Sequence, residues 1–389
     1  MKTTRRMAMG LLAGAASLGL SMGAAQAQED IVIGGSLPMT GVFAFAGISI
    51  EAGMSDYIKL VNDAGGIDGK MVRLAYEDTG YKVDQSVAVF NKLTSQEEIH
   101  LYYGDSTGFA KTIAPELVRK GSMIMGGASF ASELNNPEAY PYAFIPGPDY
   151  TEMVNILLEY IAKEKPGASI ALINSDTEFG RDPIAAAKAR AAELGLDVVL
   201  EIITPPGSVD VSTEVLKLRR ARPDYAISHG YILAPQPEFM SQAKALGLET
   251  KFMGTFWSMD SSLWKTVGET ADGYMGVMPY RYYYDDADNA PMLDKIREMR
   301  PEYQSTGYMQ GFLSAMLMVE SAKRVLAEGK EMNGANLKAA MNTIKDFDTG
   351  GIMGLPISMP GNSIPVGRVY QFSAAEGKML PVSDWINVE

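Results

Sequence analysis

Short β-rich runs alternate with amphipathic helical stretches along this chain, and the alternation runs through once, stops at a proline-rich junction and starts again. Residues 31–36 read as a strand ending in a turn. Residues 50–64 follow as a helix, with Met54, Tyr57, Ile58 and Val61 at i, i+3, i+4 and i+7 and Gly65-Gly66 closing it. Residues 71–76 predict a strand and 84–95 a helix with Val87, Phe90 and Thr94 turned inward. A strand over 99–103, a helix over 109–120 and a strand over 122–125 complete the first run. Elements in this order predict a parallel sheet with helices on both faces.

After Tyr142-Ala143-Phe144-Ile145-Pro146-Gly147-Pro148 the order restarts. Helices are expected over 150–163, 183–194, 211–220 and 237–246, and strands over 169–173, 198–203, 225–228 and 251–254. Pro146 and Pro148 punctuate the junction as a hinge between two units requires. From Gly273 the pattern changes. Residues 273–279 read as a strand crossing back, and helices over 291–300, 308–328 and 336–343 follow. The Gly- and Pro-rich tail, 350–389, predicts a hairpin at a sheet edge that includes 368–372. Helices with no strands between them cannot close a third sheet, so they cover one of the first two. The fold class expected is α/β, with two doubly wound parallel-sheet lobes. The expected division is 28–146 plus 279–350 for an N-terminal lobe and 147–278 plus 351–389 for a C-terminal lobe.

The first 27 residues say where such a fold works. Lys2, Arg5 and Arg6 precede an Ala/Gly/Leu/Met-rich stretch that ends at Ala25-Gln26-Ala27, just ahead of Gln28-Glu29-Asp30. A basic start, an apolar middle and an A-x-A site form a cleaved export signal, and Arg5-Arg6 fits the twin-arginine route. The mature chain is expected to begin near Gln28, free in the periplasm. The remainder, about 360 residues, exceeds what one hydrophobic core holds. The whole chain carries a net charge of −13, and loss of the basic leader makes it more acidic still. Such a surface repels nucleic acid and anionic membrane. With no Cys and two His, disulfides, thiol nucleophiles and thiolate metal sites are excluded and a His-based metal site is disfavoured. No cofactor or metal is expected, and the protein is expected to be a monomer.

In open α/β sheets, ligands collect beyond the carboxyl ends of the strands, where helix N-termini aim their N–H groups. The strand ends here concentrate small hydroxyl residues and rings. The first unit offers Phe43 and Phe45, then Asp105-Ser106-Thr107, then Ala128-Ser129-Phe130; the second offers Phe179, Tyr231 and Phe256. Ser106, Thr107 and Ser129 suit a carboxylate, and the rings an apolar or aromatic body. Gly104-Asp105-Ser106-Thr107-Gly108 also matches G-x-S-x-G, so a serine hydrolase stays open as an alternative. That reading must recruit His229, the one His downstream of Ser106.

At these strand ends the chain resembles the branched-chain amino-acid-binding receptors of ABC transporters. The residues that carry the resemblance are Ile33-Gly34-Gly35-Ser36-Leu37-Pro38-Met39-Thr40-Gly41, Asn62-Asp63-Ala64-Gly65-Gly66-Ile67-Asp68-Gly69-Lys70, Ala243-Lys244-Ala245-Leu246-Gly247-Leu248 and Phe252-Met253-Gly254. The resemblance implies a non-catalytic receptor with three hinge crossings, whose lobes close on one small molecule and then dock on a membrane permease. It implies a ligand carboxylate held at Ser106, Thr107, Ala128 and Ser129, with Phe130 beside them and Phe179 and Tyr231 as an aromatic wall.

One departure bears on the ligand. Relatives that bind α-amino acids place an acid shortly after the F-M-G run, whereas here Thr255-Phe256-Trp257 follows and the next carboxylate is Asp260. An ammonium buried without a counter-charge costs several kcal/mol. An aromatic or branched carboxylate lacking the amine is therefore expected. An amine keeps two routes: Asp105 or Glu178 as counter-ion, or a cage of Phe43, Phe45, Phe256 and Tyr231. A branched-chain or other amino-acid receptor and a ligand-presenting sensory module remain alternatives.

Overall fold

The computed structural model describes residues 29–285 and 288–388. The export signal expected over 1–27 lies outside the described residues. Two sheets form. The first holds β1 (Ile31–Leu37), β2 (Val72–Asp78), β3 (Ile99–Gly104) and β4 (Ile124–Gly127) in the order β2-β1-β3-β4, all parallel. The second holds β5 (Ser169–Ser175), β6 (Asp197–Thr204), β7 (Tyr225–His229), β8 (Lys251–Gly254), β9 (Met275–Met278), β10 (Val366–Ser373), β11 (Lys378–Pro381) and β12 (Ile386–Asn387). Its order is β11-β10-β9-β8-β7-β5-β6, with β12 paired to β10. From β6 to β9 the pairs are parallel; β10 and β11 join antiparallel, as the tail hairpin predicted. All seven residues of β1 are buried, which requires cover on both faces of the sheet.

The helices follow the predicted order with shifted ends. The first spans Ala44–Asp63, six residues longer at its start than its apolar spacing indicated. The helix Val83–Gln96 buries Ser86, Val89, Phe90 and Leu93. Phe90 faces inward as expected and Val87 packs half-buried against the core, while Val89 and Leu93, with Ser86, take the place expected of Thr94. Ser86 turns inward because its hydroxyl donates to the buried Asp105 carboxylate at 2.8 Å. The long helix Thr306–Ala327 lies along Ala44–Asp63, so the late helices cover the first sheet. Their backbones approach closely at glycines: a Cβ at Gly53 would stand 2.1 Å from the Tyr308 carbonyl oxygen, and one at Gly311 would stand 2.3 Å from that of Ile50. Residues 347–359 stay with these helices, since Phe347 pairs with Ile357 and the Met359 N–H donates to the Ile344 carbonyl at 3.0 Å.

Three chain segments run side by side where the sheets meet. The Ile145 N–H donates to Asn362 at 2.6 Å, the Ile364 N–H to Gly147 at 3.0 Å, and the Tyr280 hydroxyl to the Pro146 carbonyl at 2.6 Å. Pro146 and Pro148 leave this strip short of donors, so side chains and neighbouring backbone complete it. Gly53→Ala is expected to lower stability by about 1–3 kcal/mol, because neither helix backbone yields easily. A melting temperature unchanged from the parent would contradict the close packing of these helices.

Candidate functional site

Strand order reverses once in each sheet, between β1 and β3 in the first and between β5 and β7 in the second. Loops leaving such a point diverge, and the gap between them collects ligands. At these edges the first sheet's loops and helix starts carry Phe43, Phe45, Tyr81, Asp105, Ser106 and Thr107, and the second sheet's strand ends, loops and helix starts carry Phe179, His229 and Tyr231. The two sets touch. Phe43 lies 6.0 Å from Tyr231 between ring centroids and 4.9 Å from Trp257, and the Tyr81 and Tyr231 hydroxyls are 3.3 Å apart. Phe45 packs edge-on against Phe43 at 5.4 Å. Phe130 lies 5.4 Å from Phe256, and Phe179 lies 5.4 Å from Tyr231 and 5.0 Å from Tyr150. The structure thus gathers all six rings named from the sequence into one seam across the cleft, and adds Tyr81, Tyr150 and Trp257.

The hydroxyls gather beneath this seam. Thr107 Oγ1 is 3.1 Å from Ser129 Oγ and 3.3 Å from the Tyr150 hydroxyl. Tyr150 opens the helix Tyr150–Glu164, whose start is fixed by a capping box between Asp149 and Glu152. Ser106 is placed differently. It caps the helix Thr107–Lys120 by accepting the Phe109 N–H at 3.3 Å, and its own proton goes to Asp105 at 3.0 Å. With that proton committed, Ser106 has only a lone pair to offer a further partner, whereas Thr107, Ser129 and Tyr150 keep hydroxyl protons that can be redirected. The Ala128 carbonyl accepts the Trp257 indole N–H across the cleft at 3.0 Å, and the Tyr150 hydroxyl reaches the same oxygen at 3.4 Å.

Asp105, Asp260 and Glu178 each already have partners. Asp105 is fully buried and accepts from Thr79, Ser86 and Ser106; burial holds its carboxyl above the ordinary range, toward the neutral form. Asp260 accepts from the Ser262 and Thr306 N–H groups and the Thr306 hydroxyl, tying the turn after β8 to the start of the long helix. Glu178 is exposed and pairs with Lys111 and Arg181. Both ring nitrogens of His229 are also engaged: Nε2 donates to the Phe179 carbonyl at 2.9 Å, and Nδ1 accepts from Thr255 at 2.8 Å. Burial drives its pKa down to about 3, so the ring is a neutral strut within the second sheet's loops. Ser106 therefore pairs with Asp105 and not with this imidazole, and the geometry of a serine–histidine pair is not formed.

Polar contacts also bridge the two units at the rim. Lys111 Nζ sits 2.8 Å from Glu133 on its own side and 3.2 Å from Glu178 on the other. The Ser132 N–H is shared by both carboxylate oxygens of Asp182 at 3.2 Å.

This architecture and the chain's similarity to known proteins agree. Residues 30–377 match the family model described as periplasmic binding protein. The chain belongs to that family. It is a periplasmic solute-binding receptor. It is 27% identical to the Leu/Ile/Val-binding protein of Citrobacter freundii, over 75% of this chain and 78% of that protein. Among solved structures, a branched-chain amino acid ABC transporter protein from Thermus thermophilus with bound valine superimposes with a TM-score of 0.83 at 23% identity, covering 93% of this chain and 97% of that one. A solute-binding protein of an ABC transporter from Rhodopseudomonas palustris BisB5, in complex with 3,4-dihydroxy benzoic acid, gives 0.78 at 22% identity, covering 92% and 97%.

Asp182 supplies a test of the rim. Burial, ahead of its bonds to Ser132, raises its pKa from 3.8 to about 6. The folded state therefore binds its proton more tightly than the unfolded chain does. That contribution to stability is present below about pH 4 and is lost as pH rises through about 6. Asp182→Asn is expected to stabilise the protein by about 1–2 kcal/mol at pH 7.5, allowing for partial exposure, with the difference closing toward pH 4. Melting curves of parent and variant at the two pH values check this.

Proposed function

We propose that this receptor captures a small organic acid with an aromatic or branched apolar body and delivers it unaltered to the membrane permease of an ABC importer. The observation that carries the reading is the aromatic seam: rings from both sheets meet above a set of hydroxyls, and Asp105, Glu178 and Asp260 are each already engaged elsewhere. Phe43, Phe45, Phe130, Phe179, Tyr231 and Phe256 would enclose the apolar body, with Thr107, Ser129 and Tyr150 around the carboxylate; Ala128, expected there from the sequence, spends its N–H on the Gly104 carbonyl at 2.9 Å and offers only its own carbonyl. Ser106 would shape that end of the site from its place between Asp105 and the helix start. The dihydroxybenzoic acid in the Rhodopseudomonas neighbour supports an acid without an amine, while the names of the curated relatives favour a branched-chain amino acid.

We divide the lobes as the sequence suggests, with one adjustment. The N-terminal lobe would comprise 28–146 and 279 to about 362, and the C-terminal lobe the remainder. The pairing of Phe347 with Ile357 and of Ile344 with Met359 keeps that stretch beside the helices of the first sheet. Closure would be a hinge motion about the three side-by-side segments, because a guest that touches both lobes favours the closed form.

A thermal-shift screen of the mature protein against aromatic acids, branched keto acids and amino acids tests the reading. Aromatic or branched acids are expected to raise the melting temperature, and Thr107→Val with Ser129→Ala to weaken their binding at least tenfold by calorimetry. Stabilisation by leucine or valine and by none of the acids would establish the amino-acid alternative instead.

A further inference from the structure

Trp257 stands in the middle of the cleft. It sits on the short turn Phe256–Ser258 that follows β8 of the second sheet, yet its one polar side-chain atom is bonded to the first sheet, at the Ala128 carbonyl just past β4. Its indole is almost wholly buried. Phe43 meets it edge-on at 4.9 Å with planes at 76°, Phe130 lies 6.1 Å away at 69°, and Phe256 lies 4.5 Å away. Two of these three rings belong to the opposite sheet's loops. The surroundings of this side chain thus describe a receptacle for a flat apolar body with a single hydrogen-bond donor pointing at a backbone oxygen.

The backbone beneath the indole is anchored independently of it. The Trp257 carbonyl accepts the Ile232 N–H at 3.2 Å, the Ser258 N–H donates to Thr255 at 2.9 Å, and the Met259 N–H donates to Phe256 at 3.1 Å. The turn therefore keeps its backbone bonds whichever rotamer the indole takes. The small cavities bordering the strand ends, about 20 Å³ behind Ser129 and about 10 Å³ behind Tyr231, have room for about one water at most. With the rings packed as they are here, the indole occupies the space between the lobes that a ring-sized guest would take.

Resting on the reading of the site as an aromatic-acid receptor, we propose that Trp257 is an internal stand-in for the guest's ring. The guest is then an aromatic acid that carries a ring O–H or N–H donor, which takes over the Ala128 carbonyl as the indole swings away. The requirement for a donor follows from desolvation. Once the indole leaves, that buried oxygen keeps only the long contact from Tyr150, and a guest without a donor leaves it under-satisfied. Sites built around such a bond discriminate strongly against the analogue that lacks it.

The test uses calorimetry on the mature protein with benzoate and 4-hydroxybenzoate, which differ by one ring donor, and with leucine as a third probe. The parent is expected to bind 4-hydroxybenzoate at least tenfold more tightly than benzoate. Trp257→Phe removes the competing N–H while keeping a ring, and should tighten 4-hydroxybenzoate at least fivefold. Trp257→Ala should tighten both aromatic acids, with melting curves confirming that each variant is folded. Excited at 295 nm, the parent's indole emission should shift to the red on adding 4-hydroxybenzoate, and that shift should vanish in Trp257→Phe. If aromatic acids bind but Trp257→Ala weakens them, or if the two acids bind alike, Trp257 is a fixed wall and this inference alone fails. If leucine binds and neither aromatic acid does, the aromatic-acid reading falls and this inference with it.

Discussion

The paired switch points are the constraint on which the rest of the structure depends. A parallel sheet that grows outward in both directions from β1 and β3, or from β5 and β7, must send adjacent loops apart at its carboxyl edge. Two such edges face each other here, held by the hydrogen bonds among Ile145, Asn362, Gly147, Ile364, Pro146 and Tyr280. Everything chemically distinctive about the chain sits on those loops. The buried strands behind them fix where each loop begins, so the loops themselves need few regular contacts to hold their side chains in place.

What lies between the edges is mostly ring surface with a thin polar floor. Rings suit a cleft that must both close and open, since they bury a large apolar area with few torsions to order and make no obligatory polar contacts. The polar floor is economical in protons. Ser106 directs its hydrogen to Asp105, which leaves Thr107, Ser129 and Tyr150 to share theirs among one another. Burial raises the Asp105 carboxyl above its ordinary range, against the lowering by the Thr79, Ser86 and Ser106 hydroxyls that donate to it. The charged contacts are set at the rim, where Lys111 reaches both Glu133 and Glu178. Exposed pairs of that kind contribute little to stability.

Much of this was legible in the chain. Apolar spacing located most of the principal helices and strands, and the break at residues 142–148 located the hinge. The helix over 44–63 was read short because Ala44, Phe45 and Gly47 carry no apolar stripe of their own. On the helix over 83–96, Phe90 faces inward as its spacing indicates, but Ser86 does not announce itself: it is polar, and what turns it inward is a carboxylate nineteen residues away. Phe43, Phe45, Phe130, Phe179, Tyr231 and Phe256 were picked out by their places at strand ends, and the fold brings them into one seam. Tyr81, Tyr150 and Trp257 were missed in the site, although two signals were present: Tyr150 directly follows the hinge prolines, and Trp257 adjoins the Phe256 already chosen.

The sequence by itself determined the alternation of elements, the two-unit plan, the export and charge character, and which loops would hold the chemistry. Those properties follow from local periodicity, composition and chain order. Only the tertiary structure decided what the chosen residues do, because hydrogen bonds select partners by distance. The Ser106 proton belongs to Asp105, Asp260 belongs to the start of the helix at Thr306, and the Trp257 indole belongs to the carbonyl of Ala128, 129 residues away in the chain. No one-dimensional pattern encodes that last pairing, since it exists only when the two edges face each other.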